Sequence, residues 1–320
     1  MAAADSLPSL KELEKRFAGG KDVRSVRILQ KLERDQRIGA QKLYRKLRRK
    51  LDLKKKEEAR LNAMFHFEQL LWAIGLERVA GVDEVGIGPM AGPVVAAAVV
   101  FPPDIRVDGV DDSKRLRPVV RESLDVQIRA VASGIGIGLI EPDEVDRLNV
   151  YNAGIKAMRI AVESLEDPPQ HVLVDSRTIP GLPQPQNSLD GGDGISFSIA
   201  SASIVAKVFR DRLMVAMDRR FPGYGFAQHK GYCTVMHQDA VRRLGPCPIH
   251  RRSFDFISEI QGEYHSVFYT LKQEIQSLET WNELQSWDER FASRRRDLSQ
   301  VENRKLAILA RRRRKRLQPR

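Results

Sequence analysis

The spacing of apolar residues along this chain changes several times, and each change predicts a different element. Residues 8 to 76 read as helices: Leu43, Leu47 and Leu51 recur every four residues beside dense Lys/Arg. SLPSLKELEKRF (6–17) is expected as a short helix closed by Gly19-Gly20, and KDVRSVRILQKLERDQR (21–37) as a second. Phe65, Phe67, Leu70, Leu71 and Trp72 form a more apolar end that should dock on a core, leaving the basic RKLRRKLDLKKK facing water or phosphate. From Arg78 to Phe101 the pattern becomes two apolar runs around a glycine- and proline-rich break, which predicts strand, tight turn, strand, both central. GIGIGLI (134–140) and HVLVDS (171–176) predict two more strands. Helices are expected from about Val119 to Ala132, through EPDEVDRLN and NVYNAGIKAMRIAVESL, and over SFSIASASIVAKVFRDRLMVAMDRRF, the longest central helix pattern. RTIPGLPQPQNSLDGGDG (177–194) reads as a loop. The C-terminal stretch reads as charged helix up to RRRRKR (311–316), a run expected to have too little apolar content to fold alone. Strands alternating with helices give an α/β core with a mixed sheet flanked by helices, and helical N- and C-terminal extensions.

Charge sharpens this division. The net charge is +12 over 320 residues, but residues 1–77 hold 19 Lys/Arg against 11 Asp/Glu and residues 259–320 hold 14 against 9, whereas 78–258 hold 21 against 22. A nearly neutral centre between basic arms fits a polyanionic partner gripped partly by the arms. No apolar run reaches membrane-spanning length and the first residues show no signal-peptide core, so no membrane association is expected. Two cysteines, Cys233 and Cys247, are too few for a disulfide framework, which makes a reducing, cytoplasmic setting the default.

The candidate chemistry starts at Asp83 and Glu84, two adjacent acids that interrupt the first apolar run and precede Gly86, Gly88 and Gly92. A dinucleotide loop would need a helix next, whereas Pro89, Pro93 and a Val/Ala run lead to a strand; a phosphate-binding P-loop would need a Gly-Lys-Ser/Thr ending. The bland alternative is a hairpin with solvated acids. Asp175 at the end of another strand and Asp193 before the long helix could join them at one edge, and such carboxylates repel unless hard divalent cations neutralise them. Oxygen ligands with open positions select Mg²⁺ or Mn²⁺, and phosphodiester hydrolysis is the natural task. Neighbours on a regular strand point to opposite faces, so Asp83 and Glu84 share a site only if the strand bends at Val85-Gly86. Ser113 and Lys114 sit where a phosphate could be held. A competing zinc reading takes Cys233, His237, Cys247 and His250, whose spacing is irregular; His229 and His237 could also reach a substrate.

GVDEVGIGPMAGPVVAAAV, DDSKRL, VLVDS, GGD with SIASASIVAKVFRD, YGFAQHKGYCT and HRRSF together resemble the successive motifs of ribonuclease HII, in the family's order. The resemblance covers roughly residues 40 to 255, including LERDQRIGAQKL in the lead-in, which is similar to the long bacterial form. It implies a ribonuclease H-like fold; with the charge distribution, the expected division is 1–77 as a basic helical extension, 78–258 as the catalytic domain and 259–320, which has no counterpart in the family's motifs, as a charged helical segment with a basic tail. It also implies metal-binding catalytic acids at Asp83, Glu84, Asp175 and Asp193, a phosphate contact at Lys114, a strand-facing surface at Ser201 and Ser203, and Tyr232 beside the ribonucleotide sugar. The implied activity is endonucleolytic hydrolysis of RNA in RNA/DNA hybrids, or at ribonucleotides embedded in DNA, by a monomer using Mg²⁺ or Mn²⁺ and leaving a 5′-phosphate and a 3′-hydroxyl. Two departures stand out. The family's Gly-Arg-Gly is Gly86-Ile87-Gly88 here, which keeps open a hybrid-binding relative with little or no cleavage; and Gly191 precedes Gly192-Asp193 where the bacterial pattern often has lysine.

Overall fold

The computed structural model describes residues 9–12, 14, 22–103, 105–262 and 264–318. The short helix expected over 6–17 falls mostly outside them. The described chain begins with α1 (Asp22–Arg34), α2 (Ile38–Met64) and α3 (His66–Ala73). It continues through β1 (Val79–Val85), β2 (Val94–Val100), α4 (Pro118–Val131), β3 (Gly134–Ile140), α5 (Pro142–Leu148), α6 (Val150–Glu163), β4 (His171–Asp175), β5 (Gln186–Leu189) and α7 (Phe197–Arg220). After α7 come α8 (Val235–Leu244), α9 (Asp255–Ile260), α10 (Ser266–Ser277), α11 (Trp281–Arg294) and α12 (Gln300–Leu317). The five strands form one sheet in the order β3-β2-β1-β4-β5. β4 runs parallel to both β1 and β5. The short β1–β2 connection is too brief for a parallel crossover, so the sheet is mixed, as expected. All seven β2 positions are buried, which explains its uninterrupted VVAAAVV.

The contacts divide the chain into two compact units, the first comprising residues 1–83, 97–136 and 162–205, the second residues 84–96, 137–161 and 206–320. In the first, α1 and α2 close over Ile28, Leu29, Leu32, Ala40, Leu43, Leu47 and Leu51, the positions of the four-residue apolar spacing. Phe67, Leu71 and Trp72 of α3 pack against Val79, Leu173 and Ile199, so the apolar end of the lead-in docks as expected. Phe65 stacks on Phe197, with ring centroids 4.2 Å apart.

In the second unit, α10, α11 and α12 enclose their own core of Phe268, Leu271, Ile275, Leu284, Trp287, Phe291, Leu306 and Ala310. Here the structure corrects the sequence reading: RRRRKR is the helical continuation of α12. Ser299 and Glu302 form a reciprocal capping box at its start, while Leu306, Ala310 and Leu317 supply the apolar face that a basic run alone lacks. Burial works to raise the pKa of Glu302, but bonds from His265 and Ser299 outweigh it and hold the carboxyl at about 2. A second correction is β5, which lies inside the segment read as a loop; its sequence QNSL has no strand periodicity, and pairing to β4 supplies what propensity does not.

Candidate active site

In the first unit, strand register assembles the acids. The parallel pairing aligns Val82 with Val174, so the next residues, Asp83 and Asp175, come side by side at the C-terminal ends of β1 and β4. β5 aligns Leu189 with Asp175, and the chain then turns back through Gly191, so that Gly192 N donates to Asp175 Oδ1 at 2.7 Å. Asp193 follows in a short turn of 3₁₀ helix leading towards α7. Lys114 Nζ lies 3.3 Å from Asp193 Oδ2. Burial, together with the neighbouring Asp112 and Asp175 charges, raises the pKa of Asp193 against the lowering influence of Lys114. Burial acts to lower the Lys114 pKa, but Asp193, Asp83 and Asp112 raise it on balance. Negative charge therefore accumulates around one lysine, and Asp112 belongs to the group although sequence reasoning did not single it out. Its signal was available in the DDSKRL turn, where attention fell on Ser113 and Lys114.

The approach of α7 fixes this edge. Glu68 of α3 is fully buried; its Oε1 accepts from Ser196 Oγ at 2.7 Å and from Ser198 N at 2.9 Å, giving the start of α7 a carboxylate cap. A β-carbon at Gly81 of β1 would fall 2.1 Å from the Ser198 carbonyl carbon, so strand and helix meet backbone to backbone. This changes the meaning of the small residues. Ser201 is fully buried with its hydroxyl donated to Phe197 O, and Ser203 is buried with its hydroxyl 2.8 Å from Ser113 Oγ. Neither side chain is open to solvent, and Ser203 is bonded to the turn that carries Lys114.

The second unit holds Glu84 and the glycine-rich segment. Gly86 follows the end of β1 with φ 96°, a backbone available to glycine at little cost, and a β-carbon there would lie 2.5 Å from Arg210 Nε. The chain thus turns where the sequence required a bend. Arg210, fully buried, donates to Pro93 O at 2.9 Å, Lys230 O at 3.0 Å and Ala91 O at 3.1 Å. Arg251, also fully buried, donates to Gly92 O at 2.9 Å, Pro89 O at 2.8 Å and Ile87 O at 3.4 Å. Two guanidiniums therefore hold the segment through its carbonyls. Desolvation lowers their pKa values to about 10 and about 9, so both stay charged at neutral pH. Sequence reasoning assigned neither this role, because bonds to distant carbonyls leave no local pattern.

Around this segment, Ile87 Cδ1 lies 3.1 Å and Glu84 Cγ 3.6 Å from where a β-carbon of Gly154 would stand. Gly88 backs onto Tyr232, whose Cε1 is 3.6 Å from the corresponding point. Tyr232 is 41% exposed, and Lys207 Nζ stands 5.8 Å from the centre of its ring. Gly88 and Tyr232 are thus neighbours.

The histidines lie behind Tyr232, with His229, His237 and His250 all buried. His229 and His237 stack with ring centroids 4.1 Å apart, and His237 Nε2 is 3.1 Å from His250 Nε2. Cys233 is exposed, and its sulfur accepts from Gln238 Nε2. This is a packed imidazole cluster, which departs from the expectation of substrate contact. Desolvation lowers the pKa of His237 to about 3 and that of His250 to about 4. The unfolded chain takes up these protons near 6.5 while the folded chain resists, so stability is full above pH 6.5 and falls as pH drops towards 4 and then 3. Each histidine should remove about 1.4 kcal/mol per pH unit in that window. Urea unfolding at pH 7.5 and 5.5 measures this, and equal midpoints would contradict a neutral cluster.

The donor set of Asp83, Glu84, Asp175 and Asp193 is carboxylate oxygen, the chemistry that suits a hard divalent cation. The raised pKa of Asp193 reflects a local excess of anions that a cation would relieve. Among the described residues, no group of three or more His, Cys, Asp or Glu side chains is assembled as a cation cage. The residues fit such an ion by donor type.

A family model described as Ribonuclease HII matches residues 80–257, and the Ribonuclease HII N-terminal domain model matches residues 9–72. The ribonuclease HII of Geobacillus kaustophilus is 48% identical over 229 residues, covering 72% of this chain and 88% of the relative. That of Myxococcus xanthus is 45% identical over 255 residues, covering 79% and 87%. Among solved structures, ribonuclease H2 from Pyrococcus horikoshii superposes with a TM-score of 0.49 at 26% identity, covering 58% of this chain and 98% of that one. With the family model matched over more than half its length and relatives of this similarity matched almost end to end, the chain belongs to the ribonuclease HII family, the endonucleases that cleave RNA in RNA/DNA hybrids.

Proposed function

We propose that this enzyme hydrolyses the phosphodiester on the 5′ side of a ribonucleotide, within a continuous hybrid or embedded in duplex DNA, with Asp83, Glu84, Asp175 and Asp193 as its catalytic acids and Mg²⁺ or Mn²⁺ as cofactor. The observation that carries the reading is the alignment of β1 with β4, which sets Asp83 beside Asp175 at one strand end with Asp193 turned back towards them. A bound divalent ion at these carboxylates would lower the pKa of water and stabilise the leaving oxygen. The chain's own residues orient the substrate: Lys114 meets a non-bridging phosphate oxygen, and the partly exposed Tyr232, backed by Gly88, packs against the sugar. A 2′-hydroxyl in that position distinguishes ribonucleotide from deoxyribonucleotide. Residues 78–258 are the catalytic portion and 1–77 and 259–320 its basic extensions. Among the described residues no helix is long and apolar enough to cross a membrane, and both cysteines are free thiols. A monomer acting in a reducing cytoplasm fits these features.

The test compares a labelled duplex containing one ribonucleotide with a continuous hybrid, under Mg²⁺ and under Mn²⁺. Cutting of both, with a 3′-hydroxyl at the upstream end, is expected; hybrid binding without cutting under either ion would overturn the reading. Ile87→Arg is informative because the aliphatic side chain cannot pair with phosphate, whereas a guanidinium can. The variant should lower KM for the single-ribonucleotide duplex by about tenfold, the worth of one charge-assisted bond. An unchanged KM would mean that this position does not meet the backbone.

A further inference from the structure

The family models end at residue 257, and the three-helix module of α10, α11 and α12 lies beyond it. α12 is two-faced. Glu302, Leu306 and Ala310 are buried, whereas Arg304, Arg311, Arg312, Lys315 and Arg316 are all exposed. At 100° per residue, Arg304, Arg311 and Lys315 fall within about 40° of one another around the helix, with Arg312 about 80° and Arg316 about 120° round from Arg304. Three other cations of the helix serve the fold: Lys305 pairs with Asp255 at 2.5 Å, Arg314 with Asp288 at 2.6 Å, and Arg313 donates to Leu278 O. The exposed five make no such bond to an acid or a carbonyl among the described residues. They are therefore a stripe of cations held by a folded helix, at little further cost in order when they meet a partner. Beside it, a groove of 910 Å³ is lined by apolar side chains and by Arg304, Lys305 and Arg312 of α12, Lys272 of α10, and Tyr151 and Asn152 of α6, with two acids, Asp146 and Asp255.

We propose that this face of α12 is a nucleic-acid-binding surface that grips the sugar-phosphate backbone of the substrate duplex outside the nucleotide being cut. The proposal rests on the reading of the chain as a hybrid-cleaving enzyme, whose substrate is the polyanion that the stripe complements. Regular helical spacing of the cations, without acids interleaved on that face, suits a repeating row of phosphates. Amide and tyrosine side chains across the groove can donate to a phosphate or sugar oxygen of the same strand. The module thus adds affinity without base reading, and its contribution depends on duplex length and on salt.

The test uses the full chain with Arg304→Gln, Arg311→Gln and Lys315→Gln combined, three exposed positions whose loss leaves the α12 core untouched. Binding of a hybrid duplex of about 40 base pairs and of one of about 10 is measured by fluorescence anisotropy in metal-free buffer across a salt series, with cleavage of the short duplex measured separately. The expected result is at least tenfold weaker binding of the long duplex, with the slope of log K against log salt reduced by up to about 3, since each lost phosphate contact removes about 0.9. Short-duplex binding and its kcat should stay at wild-type values. An unchanged affinity and slope on the long duplex would overturn the proposal and assign the stripe to another partner, such as an acidic peptide. Loss of kcat on the short duplex would overturn it also, by making the stripe part of the cutting site. Because binding is read without metal, absence of cleavage by the wild type would count against the catalytic reading and leave this result standing.

Discussion

Asp193→Asn is expected to lower hybrid cleavage by about a thousandfold or more while leaving the protein as stable as before, or more stable. The two halves of this expectation have one cause. Asp193 is buried near Asp112 and Asp175, and burial together with those charges raises its pKa above the ordinary 3.8. A carboxyl raised in this way destabilises the folded state once ionised: stability falls as pH rises from the unfolded value through the folded one, and the deficit persists at neutral pH. Asparagine removes the charge, and with it both the deficit and the capacity to bind a cation. Asp190→Asn is the control, because that acid lies on the same loop but is exposed. Single-turnover cleavage of a hybrid and a thermal melt measure the pair. A stable Asp193→Asn protein that still cuts within tenfold of wild type would remove Asp193 from the catalytic set.

Arg210→Lys should be nearly as damaging by a different route. The arginine satisfies the carbonyls of Ala91, Pro93 and Lys230 at once, from a site with no solvent access. A lysine keeps the charge but presents a compact ammonium on a flexible stem, which cannot reach three acceptors spread around a planar fork. The carbonyls left without a donor should cost about 3 kcal/mol. Gly86, which leaves room for the guanidinium, would no longer be held against it, and Gly88 would lose its place beside Tyr232. Chemical denaturation should show the stability loss, and kinetics should show KM rising more than kcat falls. A variant with wild-type stability and KM would show that the carbonyls find other donors.

Much of this was legible in the sequence, for identifiable reasons. β1, β2 and the long helices announce themselves because burial on one or both faces leaves a period in the apolar residues. Asp83, Glu84, Asp175 and Asp193 could be named because acids beside apolar runs are costly and need a reason. What could not be read was adjacency: nothing in the order of residues says that β4 pairs with β1, and that pairing is what sets Asp175 beside Asp83. The contact of Gly81 with the backbone of Ser198 and Ile199 could not be named either, since small side chains accommodate a strand or a ligand equally. Arg210 and Arg251 escaped because all but one of their carbonyl partners lie more than a hundred positions away, the exception being Lys230. β5 escaped because a four-residue edge strand needs little apolar content.

The bundle of α10 to α12 is a core with a basic face, and it also carries an optical label. Of the three tryptophans, Trp287 lies at the centre of that core, its indole nitrogen donating to Leu271 O at 3.0 Å, and Trp281 packs against its edge, whereas Trp72 belongs to the first unit. Two of the three indoles therefore report on the C-terminal module, while far-ultraviolet ellipticity averages over helices throughout the chain. A melt followed by both signals separates loosening of the module from unfolding of the remainder, without a foreign dye or an engineered probe.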